Sequence, residues 1–502
     1  MEGQVVNRLT KEPLRKVAVR LLQGNRSFEA STDTAGVFRI QNLQAGTYRV
    51  MAERAGFVRG GGSRSSATVA LSAGQKLEGF LIELTPQAVV AGRVTDEDGD
   101  PMMSATVQLW QVSYRRGKKQ LAQVEGAGTN DLGEFRLAGI NAGRYYLSAT
   151  RSRRGSASGD VDYVTHYWPG ALEPASAGVI ELTAGQQMTN VEMRLARVGV
   201  ARIRGQVHGA PASGARGGGV MVFLHPADPM LASSDRRPVP VNPKDGSFEI
   251  RGARPGAYTL VAMQSGRGQQ MSARLEMTVP AGLTDGVELT LQPGIRVTGQ
   301  FGAEGEAPAW KGVSVQLIPE DSWKSPSGAR AGEDGAFAAQ EVLSAGRYRI
   351  VVQGLPEGYW LKSARFGSQE VYPAGLELAA ASAAELQIVV ASGAGRVEGL
   401  VRNGRSDPAA GAYVVLAPDD AARRWPESFR TGPADAGGSF RFTNLAPGRY
   451  RLLAFEELEQ GAYQDPELWV KFSHEAQRVE ISQNGRASAE LRQVPAEALG
   501  AR

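Results

Sequence analysis

Cysteine is absent from the 502 residues of this sequence. No disulfide can therefore stabilise the chain, and no thiolate is available as a nucleophile or as a metal ligand. The stability of the fold has to come from hydrophobic cores, for which a hydrophobic content of 42% is ample.

Histidine is scarce, since the chain has His166, His208, His225 and His474 and no others. A zinc peptidase needs His and Glu paired at short spacing, and none of the four histidines begins a His-x-x-Glu motif. The Gly-x-Ser-x-Gly elbow, the phosphate-binding Gly-x-x-x-x-Gly-Lys loop and a Rossmann glycine pattern are also missing. We therefore predict no catalytic, cofactor-binding or metal-binding residues, and a protein that is not an enzyme.

An excess of one charge is lacking too: 56 Lys and Arg stand against 52 Asp and Glu, which gives a net charge of +4. This balance argues against nucleic acid as a partner. Two basic clusters, at residues 115–119 and 151–154, fall between strand patterns and are typical of solvated loops. No run of 18 apolar residues occurs, so we predict no membrane span.

The sequence does contain one motif that occurs five times, which we call the phrase. It combines Gly-x-Phe with Gly-x-Tyr. The Phe and Tyr are ten residues apart in four of the copies and eleven apart in the copy that contains Phe337 and Tyr348. The first glycine suits a tight turn with positive φ, and the two aromatic residues begin alternating strands on either side of a second turn. The copies contain Gly36, Phe38, Gly46 and Tyr48; Gly133, Phe135, Gly143 and Tyr145; Gly246, Phe248, Gly256 and Tyr258; Gly335, Phe337, Gly346 and Tyr348; and Gly438, Phe440, Gly448 and Tyr450.

The spacing of the copies, 90 to 113 residues, is that of whole domains. Each copy follows a Gly-x-Val or similar opening and a β-branched run, and about seven short strands per repeat indicate a two-sheet sandwich. We predict an all-β fold, a tandem array of five immunoglobulin-like or prealbumin-like antiparallel β-sandwiches. The Ala-rich tract at residues 376–384 is the one fair helix candidate. The predicted repeats are residues 1–87, 88–198 (with an aromatic insertion), 199–295, 296–393 and 394–502.

These motifs carry a resemblance to a known family. The order Gly-x-Val, Ala-x-Val-x-Leu, Asp-x-Gly-x-Phe and Leu-x-Pro-Gly-x-Tyr resembles the carboxypeptidase regulatory-like domain, a transthyretin-like sandwich. The match is closest at residues 438–450, and residues 167–170 and 180–186 are similar to stretches in multi-repeat secreted proteins of environmental bacteria. The resemblance implies a β-sandwich and an accessory role, without catalysis in these domains.

Two features are candidate ligand sites. The acidic residues 96–100 could coordinate Ca²⁺ with hard oxygens, but they lack the distal Glu of an EF-hand, and a hydrated turn is the favoured interpretation. The aromatic residues Tyr163, His166, Tyr167 and Trp168 form a candidate ligand platform that could stack on sugar rings. Tyr359 and Trp360 occupy the matching region of the fourth repeat. The alternative, which we favour, is that these rings fill a gap beneath a loop.

The predicted function is that of a non-catalytic, exported, multi-domain scaffold or adhesion-type protein, in the extracellular space or the periplasm and cell envelope. One alternative is a carbohydrate-binding repeat array. Another is the accessory region of a larger envelope enzyme or outer-membrane transporter. The expected partners are polysaccharide or envelope proteins. Residue Met1 leads directly into a strand pattern without a signal peptide, so we expect that an export signal was removed or that the sequence is part of a longer protein.

Overall fold

The computed structural model describes residues 1–59, 67–151, 161–210, 219–231, 237–264, 270–321, 324–379, 384–459 and 461–499. The chain splits into two compact units, one formed by Met1–Gln111 and Ala122–Gly199 and the other by Val112–Leu121 and Val200–Arg502. The described residues are almost entirely strand and turn. The predicted all-β class is therefore confirmed.

The first two predicted repeats contain β1 to β18. In residues 1–87 the strands are β1 (Glu2–Asn7), β2 (Ala18–Gln23), β3 (Arg26–Ser31), β4 (Val37–Arg39), β5 (Gly46–Glu53), β6 (Phe57–Arg59), β7 (Ala67–Leu71) and β8 (Phe80–Pro86). In residues 88–199 they are β9 (Ala88–Thr95), β10 (Ala105–Arg115), β11 (Lys118–Gly128), β12 (Glu134–Ile140), β13 (Gly143–Arg151), β14 (Val161–Tyr163), β15 (His166–Tyr167), β16 (Ile180–Leu182), β17 (Gln187–Arg194) and β18 (Arg197–Gly199).

The remaining repeats contain β19 to β42 and two short α-helices. The third has β19 (Ala201–His208), β20 (Val220–Pro226), β21 (Arg237–Pro240), β22 (Ser247–Ala253), β23 (Gly256–Gln264), β24 (Met271–Val279), β25 (Gly282–Thr290) and β26 (Gln292–Pro293). The fourth has β27 (Thr298–Glu304), β28 (Ser314–Pro319), β29 (Ser327–Arg330), β30 (Ala336–Ala338), β31 (Gly346–Gln353), β32 (Tyr359–Phe366), β33 (Gln369–Glu370), β34 (Leu376–Leu378) and β35 (Leu386–Ser392). The fifth has β36 (Gly395–Arg402), β37 (Tyr413–Pro418), β38 (Arg430–Pro433), β39 (Ser439–Leu445), β40 (Gly448–Phe455), α1 (Pro466–Lys471), β41 (Gln477–Ile481), β42 (Arg486–Val494) and α2 (Ala496–Leu499).

The opening strand is paired in the same way in each repeat. The opening strand pairs antiparallel with the strand that carries the Phe of the phrase, as in β1–β4 and β36–β39. On its other side it pairs in parallel with a late strand of the repeat, as in β1–β8 and β36–β42. Because a parallel pair needs a long crossover, the intervening strands of the repeat themselves supply that connection. The parallel pair is a detail that the prediction of antiparallel sandwiches did not include.

The second sheet of each repeat is built on the Tyr strand, and in the fifth repeat β40 also pairs with β42, which joins the two sheets. The Tyr strand pairs antiparallel with the β-branched run, as in β2–β5, β10–β13, β20–β23, β28–β31 and β37–β40. Apolar residues from both sheets meet in a core cluster in every repeat, and in the first repeat this cluster contains Val5, Val19, Phe38, Tyr48 and Ile82. The division at the predicted boundaries itself stays a prediction.

The glycine of the opening strand and the Phe of the phrase are cross-strand partners in every repeat. The pairs are Gly3 with Phe38, Gly92 with Phe135, Gly205 with Phe248, Gly299 with Phe337 and Gly399 with Phe440. At Gly299, a Cβ atom would lie 2.4 Å from the Phe337 ring and 2.0 Å from the carbonyl oxygen of Leu386 on the parallel strand. A side chain does not fit there, so glycine is required by space.

The Tyr of the phrase closes the hinge between the two sheets. Its hydroxyl donates to the carbonyl oxygen four residues upstream, over 2.7 to 2.9 Å, in Tyr48, Tyr145, Tyr348 and Tyr450. This is the bond of a tyrosine corner. All four rings are buried, so the same residue anchors the turn and fills the core.

Helix occurs elsewhere than predicted. The Ala-rich tract contains strand β34, with Leu376 and Leu378 buried, and residues 380–383 lie outside the described part. Helix α1 instead follows the N-cap Asp465, whose carboxylate accepts the N–H of Glu467. Its buried residues join Phe472, Leu453 and Phe455 in a second cluster of the fifth repeat.

We predict that Gly299→Ala destabilises the fourth repeat by about 2–4 kcal/mol, because the new methyl group must displace a backbone carbonyl and an aromatic ring. Gly302→Ala in the same strand is the control, since a Cβ atom there meets nothing within 4 Å. Its effect should stay within about 0.5 kcal/mol. Native-state hydrogen exchange of the β27 and β35 amides measures both changes, and equal effects of the two substitutions would contradict the steric explanation.

Candidate functional site

The two candidate ligand sites, residues 96–100 and the aromatic insertion at residues 163–168, are in contact in the structure. The turn at residues 96–100 is held by Asp96, whose Oδ1 accepts the N–H groups of Asp98 at 3.0 Å and Asp100 at 2.9 Å. That carboxylate therefore stabilises its own turn, as an Asx turn does. Among the described residues, no group of three or more His, Asp and Glu side chains is arranged to hold a metal ion.

Glu97 connects this turn to the aromatic insertion. Its Oε2 accepts the hydroxyl of Tyr163 at 2.6 Å, and its Oε1 lies 2.5 Å from Nε of Arg197. Its backbone carbonyl accepts a further bond from Arg194. Strand β14 places Tyr163 directly opposite Arg197 on β18, and the guanidinium of Arg151 lies 5.4 Å from the centre of the Tyr163 ring. One carboxylate thus fixes the end of the insertion.

The protonation of this pair follows from its contacts. The hydrogen bond from Tyr163, a backbone bond and the bond from Arg197 lower the pKa of Glu97 to about 2. Burial, and then the bond to Glu97, raises the pKa of the Tyr163 hydroxyl to about 12. The tyrosine is therefore a hydrogen-bond donor over a wide pH range, and the carboxylate stays charged.

The four predicted platform residues differ in exposure. Tyr163, His166 and Tyr167 are buried, with relative exposures of 8%, 4% and 0%. The ring of His166 is held at both nitrogens, because Nε2 accepts the N–H of Ala196 at 3.2 Å and Nδ1 lies 2.9 Å from the carbonyl oxygen of Val164. These positions are what the alternative of rings filling a gap expects.

Trp168 is the half-buried member of the set. The backbone N–H of Trp168 donates to the carbonyl oxygen of Leu147 at 2.8 Å, and its backbone carbonyl accepts the N–H of Gly178 at 2.7 Å. The indole lies against Gly178 and packs on the core of the second repeat. The ligand-platform prediction stays a prediction, and Trp168 is the residue on which it now depends.

The matching aromatic residues of the fourth repeat are both half-buried in β32. Tyr359 donates to the carbonyl oxygen of Glu306 at 3.3 Å. In the described part of the chain, the indole N–H of Trp360 is buried without a hydrogen-bond acceptor. Of the basic clusters, residues 115–119 surround the turn between β10 and β11, and residues 152–154 lie outside the described part.

Sequence reasoning missed the cluster of Glu97, Tyr163 and Arg197. Glu97 was considered as a metal ligand and Tyr163 as a stacking ring, whereas they bind each other across 66 residues of chain. No motif spacing signals that contact. Strand β17 pairs in parallel with β9, and this pairing brings the end of the second repeat next to the turn at residues 96–100.

The fold and this site define a protein of tandem β-sandwiches in which the recurrent residues build the sheets and the insertion is pinned by a structural ion pair. Residues 1–85 match the family model of the carboxypeptidase regulatory-like domain, which confirms the resemblance carried by the motifs. No curated protein matches the sequence.

Several solved structures of bacterial proteins are similar. The Bacillus anthracis TIE protein is 10% identical, with 81% of this chain and 74% of that chain covered and a TM-score of 0.17. The minor pilin GBS52 of Streptococcus agalactiae is 16% identical, with coverage of 39% and 96% and a TM-score of 0.21. BcpA, the major pilin subunit of Bacillus cereus, is 12% identical, with coverage of 81% and 99% and a TM-score of 0.16. At TM-scores this low, the similarities carry no argument about function.

We predict that Tyr163 titrates near pH 12 instead of its ordinary value of 10.0. Because the folded pKa is raised, the stabilising contribution of the Tyr163 hydroxyl is complete below about pH 10 and is lost as the pH rises through about 12. The near-ultraviolet tyrosinate absorbance of the wild type minus that of Tyr163→Phe measures this step. Glu97→Gln is the control that should move the step towards 10.0, and a step already near 10.0 in the wild type would contradict the assignment.

Proposed function

We propose that this chain is a non-catalytic scaffold or adhesion-type protein of the bacterial envelope, in which sandwich repeats hold contact surfaces at fixed spacing. The observation that carries the proposal is that, within each compact unit, the segments joining consecutive repeats are hydrogen-bonded to both neighbours. A free linker would let the modules swing, whereas a bonded one transmits their position.

The junction between the fourth and fifth repeats shows this most fully. The side-chain amide of Asn444 accepts the N–H of Gly358 at 3.0 Å and donates to the carbonyl oxygens of Leu355 and Pro356 at 3.3 and 3.1 Å. One residue of the fifth repeat thus satisfies three backbone groups of the fourth. Its left-handed φ of 55° is a conformation that asparagine tolerates.

The backbone of the same junction is also bonded on both sides. Ala394 donates to the carbonyl oxygen of Gly358 at 2.9 Å, and Asn484 donates to that of Gly393 at 2.7 Å. These bonds hold the connecting residues between a loop of the fourth repeat and a turn of the fifth. The junction therefore has little freedom to bend.

Two other junctions are built in the same way. In the first unit, the side-chain amide of Gln87 donates to two groups of the second repeat, the carbonyl oxygen of Gly139 at 2.8 Å and Oδ1 of Asn141 at 3.1 Å. The backbone N–H of Gln87 donates to the carbonyl oxygen of Gly56 in the first repeat at 2.8 Å. In the second unit, Ile295 and Leu343 of the fourth repeat exchange backbone hydrogen bonds of 2.7 and 2.8 Å, and Gly294 donates to the carbonyl oxygen of Gln270 in the third repeat at 2.8 Å. Each connection is thus tied to the repeats on either side of it.

The envelope location and the absence of catalysis are parts of the proposal that the motif resemblance supports. The family match covers the first repeat, and the recurrent residues of the later repeats serve the same folding roles. A structure composed of bonded modules acts by geometry, with loops at the module ends available for contacts. Among the described residues, no helix is both long and apolar enough to cross a membrane.

Stiffness of the junction can be measured directly. Because the chain has no cysteine, spin labels on Glu333→Cys and Arg405→Cys report one distance between the fourth and fifth repeats. We expect a narrow distance distribution that Asn444→Gly broadens, since glycine keeps the left-handed backbone but removes three bonds.

Asn484→Gly is the matched control for this measurement. Asn484 also has a φ of 55°, but its bond to Gly393 is made by the backbone and survives the substitution. The distribution should stay narrow in this variant. A broad distribution in the protein without either substitution would overturn the scaffold proposal.

A carbohydrate-binding array is the second candidate, favoured by the half-buried indole of Trp168. An array with equivalent sites predicts that Trp168→Ala and Trp360→Ala each weaken binding to a polysaccharide panel, by about tenfold for each lost stacking contact. A platform confined to the second repeat predicts loss in Trp168→Ala alone. Binding unchanged in both variants would exclude this candidate.

A further inference from the structure

A small polar pocket lies beside the junction of the fourth and fifth repeats. Its volume is about 270 Å³, and its wall includes Arg396, Arg486, Thr443, Asn484 and Glu357. The pocket lies on the outer face of the sheet, because Val397, the next residue after Arg396, is fully buried in the core. It is large enough for a single sugar-sized group.

The two arginines are placed side by side by the strand register. Arg396 on β36 and Arg486 on β42 are partners in the parallel pair, so their Cα atoms are about 4.8 Å apart and their side chains leave the same face. The backbone N–H of Arg396 donates to Gly485 at 3.0 Å, which fixes this register at the pocket. Like charges directly opposite each other destabilise a sheet.

Neither arginine side chain has a hydrogen bond or an ion pair with any residue in the described part of the chain, and Nε of Arg396 is buried without an acceptor. Two other arginines of the same sheet have acidic partners. Arg402, further along β36, binds Glu490 on β42, and Arg441 lies 3.4 Å from Glu357. What marks the pocket among the described residues is the buried Nε of Arg396, because a buried donor without an acceptor costs stability until an anion supplies one.

The neighbouring acids do not neutralise the two arginines. Glu357, at the rim, is 74% exposed and is paired with Arg441. Glu398, the next outward residue of β36, lies opposite Arg441 and Ser488. The guanidinium groups at the pocket are those of Arg396, Arg486 and Arg441, and the carboxylates are those of Glu357 and Glu398. One positive charge is therefore in excess. A singly charged carboxylate matches this excess, whereas a doubly charged phosphate would meet Glu357 as well.

We propose that this pocket binds a carboxylate-bearing sugar, that is, a uronate unit of an acidic polysaccharide. The adjacent guanidinium groups would grip the planar carboxylate with charge-assisted hydrogen bonds, and the hydroxyl of Thr443 and the amide of Asn484 can bond sugar hydroxyls. This goes beyond the scaffold role and stands on the pocket alone. A free small carboxylate shares the chemistry and is the other source that the test separates.

The test is calorimetric titration of the full chain with trigalacturonate at low ionic strength, with sodium acetate and the uncharged trisaccharide as parallel probes. We expect binding of trigalacturonate that weakens at least tenfold in Arg396→Gln and in Arg486→Gln, and also with added salt. Arg478→Gln is the matched control, because Arg478 is an exposed arginine on β41 of the same repeat. It should bind as the wild type does.

Folding is checked by the thermal midpoint without ligand. Since each Gln variant removes half of a like-charged pair, its midpoint should equal or exceed that of the wild type. Equal binding of acetate would assign the pocket to free carboxylates and overturn the polysaccharide assignment. Absent binding, or binding that both Gln variants retain, would overturn the site itself, whatever the stiffness of the junction proves to be.

Discussion

The contact on which each repeat depends is a phenylalanine ring packed over a glycine of the neighbouring strand. At Gly399, a Cβ atom would lie 2.8 Å from the Phe440 ring and 1.9 Å from the carbonyl oxygen of Ala489. Three strands therefore converge at one position that has no room for a side chain. Because the ring covers the backbone that glycine leaves bare, the pair fixes the register of both the antiparallel and the parallel neighbour.

The tyrosine completes this constraint in the opposite sheet. Phe440 and Tyr450 belong to one core, but they reach it from β39 and β40, which lie on either side of the hinge. The hydroxyl of Tyr450 then bonds Ala446 within that hinge at 2.7 Å. The near-constant spacing of Phe and Tyr is thus the length of chain needed to pass from one sheet to the other, and it explains why the phrase recurs with so little variation.

The parts of the structure that could be predicted from the sequence are those that rest on local patterns. Turn glycines, alternating strands and the phrase that recurs five times can each be recognised within a short stretch of sequence. They indicated the sandwich class and the family. The parallel pair could not be found in this way, because Gly3 and Phe80 are brought together by the whole repeat. The Ala-rich tract suggested a helix by composition, but the alternation of Leu376 and Leu378 places both in the core as a strand requires.

The candidate sites show the same division. Glu97 and Tyr163 were each singled out for a chemistry of their own, and their mutual bond depends on a return of the chain that no spacing encodes. The platform residues were chosen as aromatic, yet aromatic character alone does not separate a stacking surface from a core, and burial separates Tyr167 from Trp168. Side-chain type therefore identified the neighbourhood, and topology decided the contacts.

Function in such a chain has to reside in what the repeats do not share. The glycine, phenylalanine and tyrosine positions are committed to folding in each copy, so they cannot distinguish one repeat from another. Asn444 and the pair of Arg396 and Arg486 belong instead to one junction, where two modules meet. On the same two strands, Arg402 also lies opposite an arginine, Arg492, but it forms an ion pair with Glu490. Arg396 and Arg486 have no such acidic partner among the described residues. An unpaired charge is costly to retain where a paired one is available, and that cost is the physical reason to seek a ligand at the junction and not on the repeated faces.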